Sequence, residues 1–293
     1  MISGRPADKG NPRRRIPQKY VSSEKPDAVI VEYPFNEFNP IILIDFNNLH
    51  RECKKSNAKL VLSMHEYDRV KFLRKKVIES FLKNSDLVFV SEPHYLMTLK
   101  PFNSNIYLRT IPNHIVSRQK VMNKDSKRFA YFGMINKAKA FDEMIEAWKN
   151  FNISGEYSLE VVTVSEVQIK DVEKYGIHCH IGETDNRVAE ILSEVAFSVL
   201  PIKPFIAYNN SSMVSCAQCG CIVIGKASDI VSKEGFVVEP DDYSPESIEK
   251  ALKKAVCLDP ACIEAMRTRA VSFGSYFTIE STVSQMLERL IDE

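Results

Sequence analysis

Short apolar runs alternate with helical patterns along almost the whole chain, and this rhythm restricts the fold more than any other feature. Strand-like runs occur at 28–32, 60–64, 87–92 (LVFVSE), 106–111 (IYLRTI), 129–133 (FAYFG), 159–164 (LEVVTV), 178–181 (HCHI), 197–201 (FSVLP) and 221–225 (CIVIG). Helical patterns follow at 69–83, 141–151, 187–194, 245–256, 260–271 and 278–291. IILIDF at 41–46 fits either a second strand or the start of a buried helix. Strands alternating with helices predict an α/β chain with parallel sheets.

The rhythm breaks once, in a polar stretch without periodicity from Pro112 to Lys127. It divides the chain into a first domain over 1–112, a linker over 113–127 and a second domain over 128–275. A closing helix over 276–293 is expected to pack back toward the first domain. The second half has the elements of a complete doubly wound domain, and the first is short of one. Residues 1–26 are polar and carry Arg13, Arg14, Arg15, Lys19 and Lys25 among four prolines, so they read as a loosely packed leading segment with one short helix near 18–23.

Residues 200–225, LPIKPFIAYNNSSMVSCAQCGCIVIG, read as strand end, loop, helix and strand. Asn210, Ser211 and Ser212 suit a helix N-cap, and the first helical N–H groups beyond a cap lack intrahelical partners and can bind an anion. In an open parallel sheet, ligands also gather at the carboxyl ends of the strands. Asn and Ser also cap helices that bind nothing, so the neighbouring sequence must decide.

Length allows about two domains. A net charge of +1 gives no reason to expect a nucleic-acid partner. No apolar run approaches a membrane span, and MISGRPADKGNPRRR has no apolar core of the secretory kind, so a cytoplasmic protein is expected. Seven cysteines in mostly apolar surroundings read as reduced thiols. Cys216, Cys219 and Cys221 have no matching ligand pair for zinc, and the His178 and His180 pair does not complete a site.

The order of elements and the local words together resemble glycosyltransferase family four, retaining enzymes of the GT-B architecture with two facing Rossmann-like domains. The resemblance covers roughly residues 27–293, with the first domain reduced. FAYFGMINKAKAFDEMIEAW is similar to the strand, glycine, loop, lysine and helix that open the family's donor domain. It implies that Gly133 is the glycine and that Lys139 contacts the donor diphosphate, while Met134 stands where many members carry arginine. The family's paired glutamates are replaced near Ala207 and Ser215. YNNSSMVSCAQCGC is instead similar to a branch in which the N–H groups of Ser211, Ser212 and Met213, beside Asn210, would meet the diphosphate.

In the first half, PDAVIVEYP resembles the strand whose end often carries a histidine near the sugar, and Glu32 stands there. LVLSMHEYDR looks like the next loop, which implies His65 as an acceptor or phosphate contact, with Arg69 and Arg74 on the acceptor side. Only 26 residues precede the first matched strand, and the stretch 4–10 would have to serve as a shortened glycine loop.

The resemblance implies transfer of a sugar from a nucleotide-diphosphate donor to a glycan or lipid-linked acceptor with retention, in polysaccharide or glycoconjugate synthesis. Lys139 and the helix N-terminus would stabilise the leaving diphosphate. Glu32 would orient the sugar or assist proton removal, with a raised pKa in a closed cleft. No cofactor and no metal is expected, because no Asp-x-Asp word is present. The basic positions 69–76 suggest a peripheral contact with the cytoplasmic membrane face. The rival reading is a non-catalytic, degenerate transferase that binds sugar or accompanies an active partner glycosyltransferase. A dehydrogenase is disfavoured, since no G-x-G-x-x-G follows a strand.

Overall fold

The computed structural model describes residues 19–34, 41–68, 70–113, 115 and 124–291. The chain divides into two compact units, Met1–Arg109 and Thr110–Glu293.

The first unit runs α1 (Lys19–Glu24), β1 (Ala28–Tyr33), α2 (Ile41–Ser56), β2 (Lys59–Met64), α3 (Phe72–Lys83), β3 (Leu87–Val90), α4 (Tyr95–Thr98) and β4 (Ile106–Leu108). Its four strands lie in sequential order, all parallel. The ambiguous stretch after residue 41 is a helix. Phe46, Leu49 and Cys53 recur at helical spacing, and all three are buried. With α2 as the crossover, β1 pairs directly with β2. Phe46 stacks on Phe81 of α3 with ring centroids 4.2 Å apart, joining both helices to one core.

The second unit runs β5 (Asp125–Phe132), α5 (Phe141–Phe151), β6 (Ser158–Thr163), β7 (Ile177–Ile181), α6 (Asp185–Glu194), β8 (Val195–Val199), α7 (Ser211–Gln218), β9 (Ile222–Ile224), α8 (Asp229–Lys233), β10 (Val237–Val238), α9 (Pro245–Val256), α10 (Pro260–Ser275) and α11 (Ile279–Ile291). Its sheet order is β10-β9-β8-β5-β6-β7, entirely parallel. Counted from β5, this is the doubly wound order whose direction of winding reverses between the first and fourth strands. One core packs Trp148 and Phe141 of α5 against Phe129 and Tyr131 of β5; the other gathers α6, α7 and α10.

Three residues of the stretch read as a linker are built into the second unit. Asn113 donates its N–H to the Phe277 carbonyl (2.8 Å) and its side-chain amide to Ser215 and Gln218 (2.8 Å each). Ile115 is buried in the core around α7. Lys124 donates to the Leu192 and Val195 carbonyls, at 2.7 and 2.6 Å. A polar stretch without periodicity looks like a linker in sequence, but these side chains satisfy buried carbonyls and amides that the elements leave open. The expected glycine loop at 4–10 lies outside the described residues. Among the described residues no helix is long and apolar enough to cross a membrane.

Candidate functional site

The reversal in the second sheet puts the end of β5 beside the loop that leaves β8. Parallel strands on either side of such a point send their connections to opposite faces and leave a crevice at their carboxyl ends. Gly133 follows β5 directly, with its N–H on the Val162 carbonyl (3.0 Å). The segment after it folds back onto the end of β8: Ala140 N–H donates to Pro201 O and Lys203 N–H to Ala138 O, at 2.8 Å each. Lys139 is thereby pinned across the crevice as a one-residue bridge to Ile202.

Three of the sequence-predicted residues converge here. Gly133 has φ +134°, a backbone state that disfavours side chains, and a Cβ placed on it would meet both the Lys139 ammonium and Ser212 Oγ. The absence of a side chain therefore keeps a small space open between a cation and a hydroxyl. Lys139 is half-buried. Burial lowers its pKa from 10.5, and among the described residues no carboxylate offsets that cost. Its ammonium lies over the Tyr131 ring, 5.4 Å from the centroid.

Helix α7 closes the other side. Asn210 is its N-cap, and Asn210 Oδ1 accepts the Met213 N–H at 3.0 Å. This corrects the expectation for Met213: its N–H is occupied and its side chain is fully buried in the core. The N–H groups of Ser211 and Ser212 precede the first intrahelical bond and are left for a ligand. Asn210 serves through its cap. Met134, at the position expected to hold arginine, is 59 % exposed. Ser215, at a position expected to hold glutamate, bonds to the Ser211 carbonyl and to Asn113.

The first sheet gathers a second cluster at its carboxyl end. Glu32, one residue before the end of β1, bonds to His65 Nε2 through Oε2 at 2.9 Å and accepts Arg109 Nη1 on Oε1 at 2.8 Å. Arg109 Nη2 stands 3.5 Å from His65 Nε2. Sequence reasoning missed Arg109. Its signal was a lone arginine directly after the strand-like IYL, in a position that parallel sheets turn toward ligands. Its side chain is only 8 % exposed, whereas that of Glu32 is 52 % exposed. Burial pushes the Glu32 carboxyl up, but His65, Ser63 and the Arg109 guanidinium together hold it down to about 2. The expected raised pKa is therefore reversed, because opposite charge outweighs burial. A carboxylate held that low is a weak proton acceptor and a strong hydrogen-bond acceptor.

His65 thus joins Glu32. Arg74 turns onto the Tyr33 hydroxyl and ring, and Arg69 lies outside the described residues. A second pair, Asp68 and His94, stands at 2.6 Å with both side chains about half exposed. Of the two histidines on β7, His180 bonds to the buried Glu160 at 2.8 Å, together with Arg128.

No protein-family model and no curated protein matches the sequence. Solved structures match the fold. An alpha-glucosyltransferase in complex with UDP-glucose and DNA containing an abasic site is 13% identical with a TM-score of 0.61, covering 94% of this chain and 84% of that one. An alpha,alpha-trehalose 6-phosphate synthase from Burkholderia multivorans is 10% identical with a TM-score of 0.64, over 94% of this chain and 74% of that one. TarM from S. aureus is 13% identical with a TM-score of 0.59, over 94% of this chain and 58% of that one. At such identities the likeness establishes the fold: α/β of the GT-B kind, two Rossmann-like units each on a parallel sheet, the first reduced to four strands.

Proposed function

We propose that the chain is a glycosyltransferase that takes a sugar from a nucleotide-diphosphate donor. The observation that carries this reading is Lys139, a half-buried cation without a carboxylate partner among the described residues, facing Ser212 across Gly133 at the sheet's reversal point. A protein that places an uncompensated cation beside two open helix N–H groups has a ready site for a dianion. The diphosphate leaves from that site, its growing charge met by Lys139 and by the N–H groups of Ser211 and Ser212. This arrangement asks for no metal ion. Retention of configuration, and a glycan or lipid-linked acceptor in polysaccharide or glycoconjugate synthesis, follow from the family resemblance.

On the acceptor side, Glu32 is read as a fixed hydrogen-bond acceptor for sugar hydroxyls, oriented by His65 and Arg109. A peripheral contact with the cytoplasmic membrane face is part of the same reading. Phe72 and Leu73 at the start of α3 are 71 % and 77 % exposed beside the exposed Lys71, whereas Arg74 and Lys75 fold onto Tyr33 and Tyr67. Replacing Phe72 and Leu73 with serine should abolish binding to anionic vesicles, and undiminished binding would remove this element.

The test of the donor site is thermal stability against UDP-, GDP-, ADP- and CMP-sugars. A ligand at 100 times its dissociation constant stabilises by about 2.7 kcal/mol. A selective shift that is lost in Lys139→Ala supports the reading and names the nucleotide. Ala207 and Ser215, in place of two carboxylates, favour a second reading: a non-catalytic subunit that accompanies an active glycosyltransferase. Donor binding without transfer or hydrolysis would select it.

A further inference from the structure

Helix α7 ends in a turn that brings two thiols together. The Gly220 N–H donates to Ala217 O at 2.8 Å, the Cys221 N–H donates to Cys216 O at 2.9 Å, and Gly220 has φ +73°. These paired bonds define a Schellman turn, in which the side chain three positions before the cap meets the one two positions after it. Here those two side chains are Cys216 and Cys221, and they share a thiol–thiol hydrogen bond. Both are fully buried. The Lys124 ammonium stands 3.5 Å from Cys221 Sγ, which also approaches the Leu192 carbonyl at 3.1 Å.

We propose that Cys216 and Cys221 form an oxidation site, a dithiol that a peroxide converts to an intramolecular disulfide at the end of α7. Cα and Cβ atoms brought into contact by the turn meet the proximity that a disulfide requires. The nucleophile is Cys221. Burial pushes its thiol up, but the hydrogen bond from Cys216 and the Lys124 ammonium bring it down to about 7, with Arg267 adding to the pull. Cys216 is pushed well above its ordinary value by burial and by Cys221, with Ser198 opposing and Cys219 adding to the rise.

The Cys221 thiolate attacks one peroxide oxygen, giving a sulfenic acid and releasing hydroxide, which takes up a proton to become water. Cys216 then attacks the sulfenic sulfur; the S–S bond forms, the S–O bond breaks, and the hydroxyl leaves as water with the Cys216 proton. Two thiols lose two electrons in total, and one peroxide is reduced to two waters. The disulfide forms whether or not a nucleotide binds. Its effect on nucleotide binding, through the helix that carries Ser211 and Ser212, rests on the donor-site reading.

The experiment treats the reduced full chain with hydrogen peroxide, blocks remaining thiols with N-ethylmaleimide and maps the fragment spanning 204–226 by mass. The expected result is a loss of about 2 Da with a single maleimide, on Cys219. This product should be absent in both Cys216→Ala and Cys221→Ala, and its rate should rise through neutral pH. Three alkylated cysteines in that fragment, after the exposed Cys179 and Cys257 have been oxidised, would overturn the proposal. A disulfide that persists in Cys216→Ala would also overturn it, because Cys219 would then be the partner.

Discussion

Replacing Lys139 with methionine separates a binding cation from a structural one, because the two roles predict opposite signs. Methionine keeps an unbranched apolar stem and removes the charge. In the free protein the ammonium is half-buried over Tyr131 with no acid to offset its desolvation, so its removal should relieve a cost. The expected gain is up to about 1 kcal/mol, or roughly 2–4 °C in Tm for a unit of this size. The pH dependence follows from the same burial. The folded state holds the Lys139 proton less tightly than the unfolded chain does, so the wild-type penalty is present in full at neutral pH. It fades as pH rises through the lowered folded pKa toward 10.5. The Tm gap between variant and wild type should therefore narrow in alkaline buffer. Binding should move the other way. A hydrogen bond to a charged group contributes about 1.5–3 kcal/mol, so affinity for the recognised nucleoside diphosphate should fall roughly 10- to 140-fold. Scanning calorimetry from neutral to alkaline pH and titration calorimetry read the two effects separately. A variant that loses stability while binding its nucleotide as before would refute the reasoning.

Three further outcomes are expected. Gly133→Ala should cost about 1–2 kcal/mol in strain at its positive φ, and its Cβ should abolish the nucleotide-induced Tm shift by filling the space between Lys139 and Ser212. Asn210→Ala removes the α7 cap and should cost about 1 kcal/mol, visible as a lowered urea midpoint. Arg109→Leu should raise the Glu32 pKa from about 2 toward 4.5, followed by carboxyl NMR. Glu32 contributes stability that is present above pH 4.5 and is lost as pH falls toward 2. Because its side chain is half exposed, screening limits that contribution to about 1 kcal/mol or less.

Much of the architecture was legible because strands and helices leave different periods in a sequence. LEVVTV and SDLVFVSE announced β6 and β3, and the prolines at 245 and 260 opened α9 and α10 as N1 residues do. Two elements escaped. The two-residue β10 and the four-residue α4 are too short to carry a period. The stretch at 41–46 stayed ambiguous, since six apolar residues satisfy a strand and a helix alike; the paired neighbours β1 and β2 decided it.

Of the candidate site, the sequence alone determined that a glycine, a lysine and a capped helix start lie on three separate loops of a parallel α/β unit. Only the tertiary structure decided that Gly133, Lys139 and Ser212 share one space, that the Met213 N–H is spent on Asn210, and that a buried Arg109 holds Glu32 ionised. The physical reason is one of range. Propensity, capping and periodicity act within a few residues of the chain. The winding order of the sheet, the burial of a charge and the partner that offsets it are properties of segments far apart in sequence, such as the 77 positions between Glu32 and Arg109.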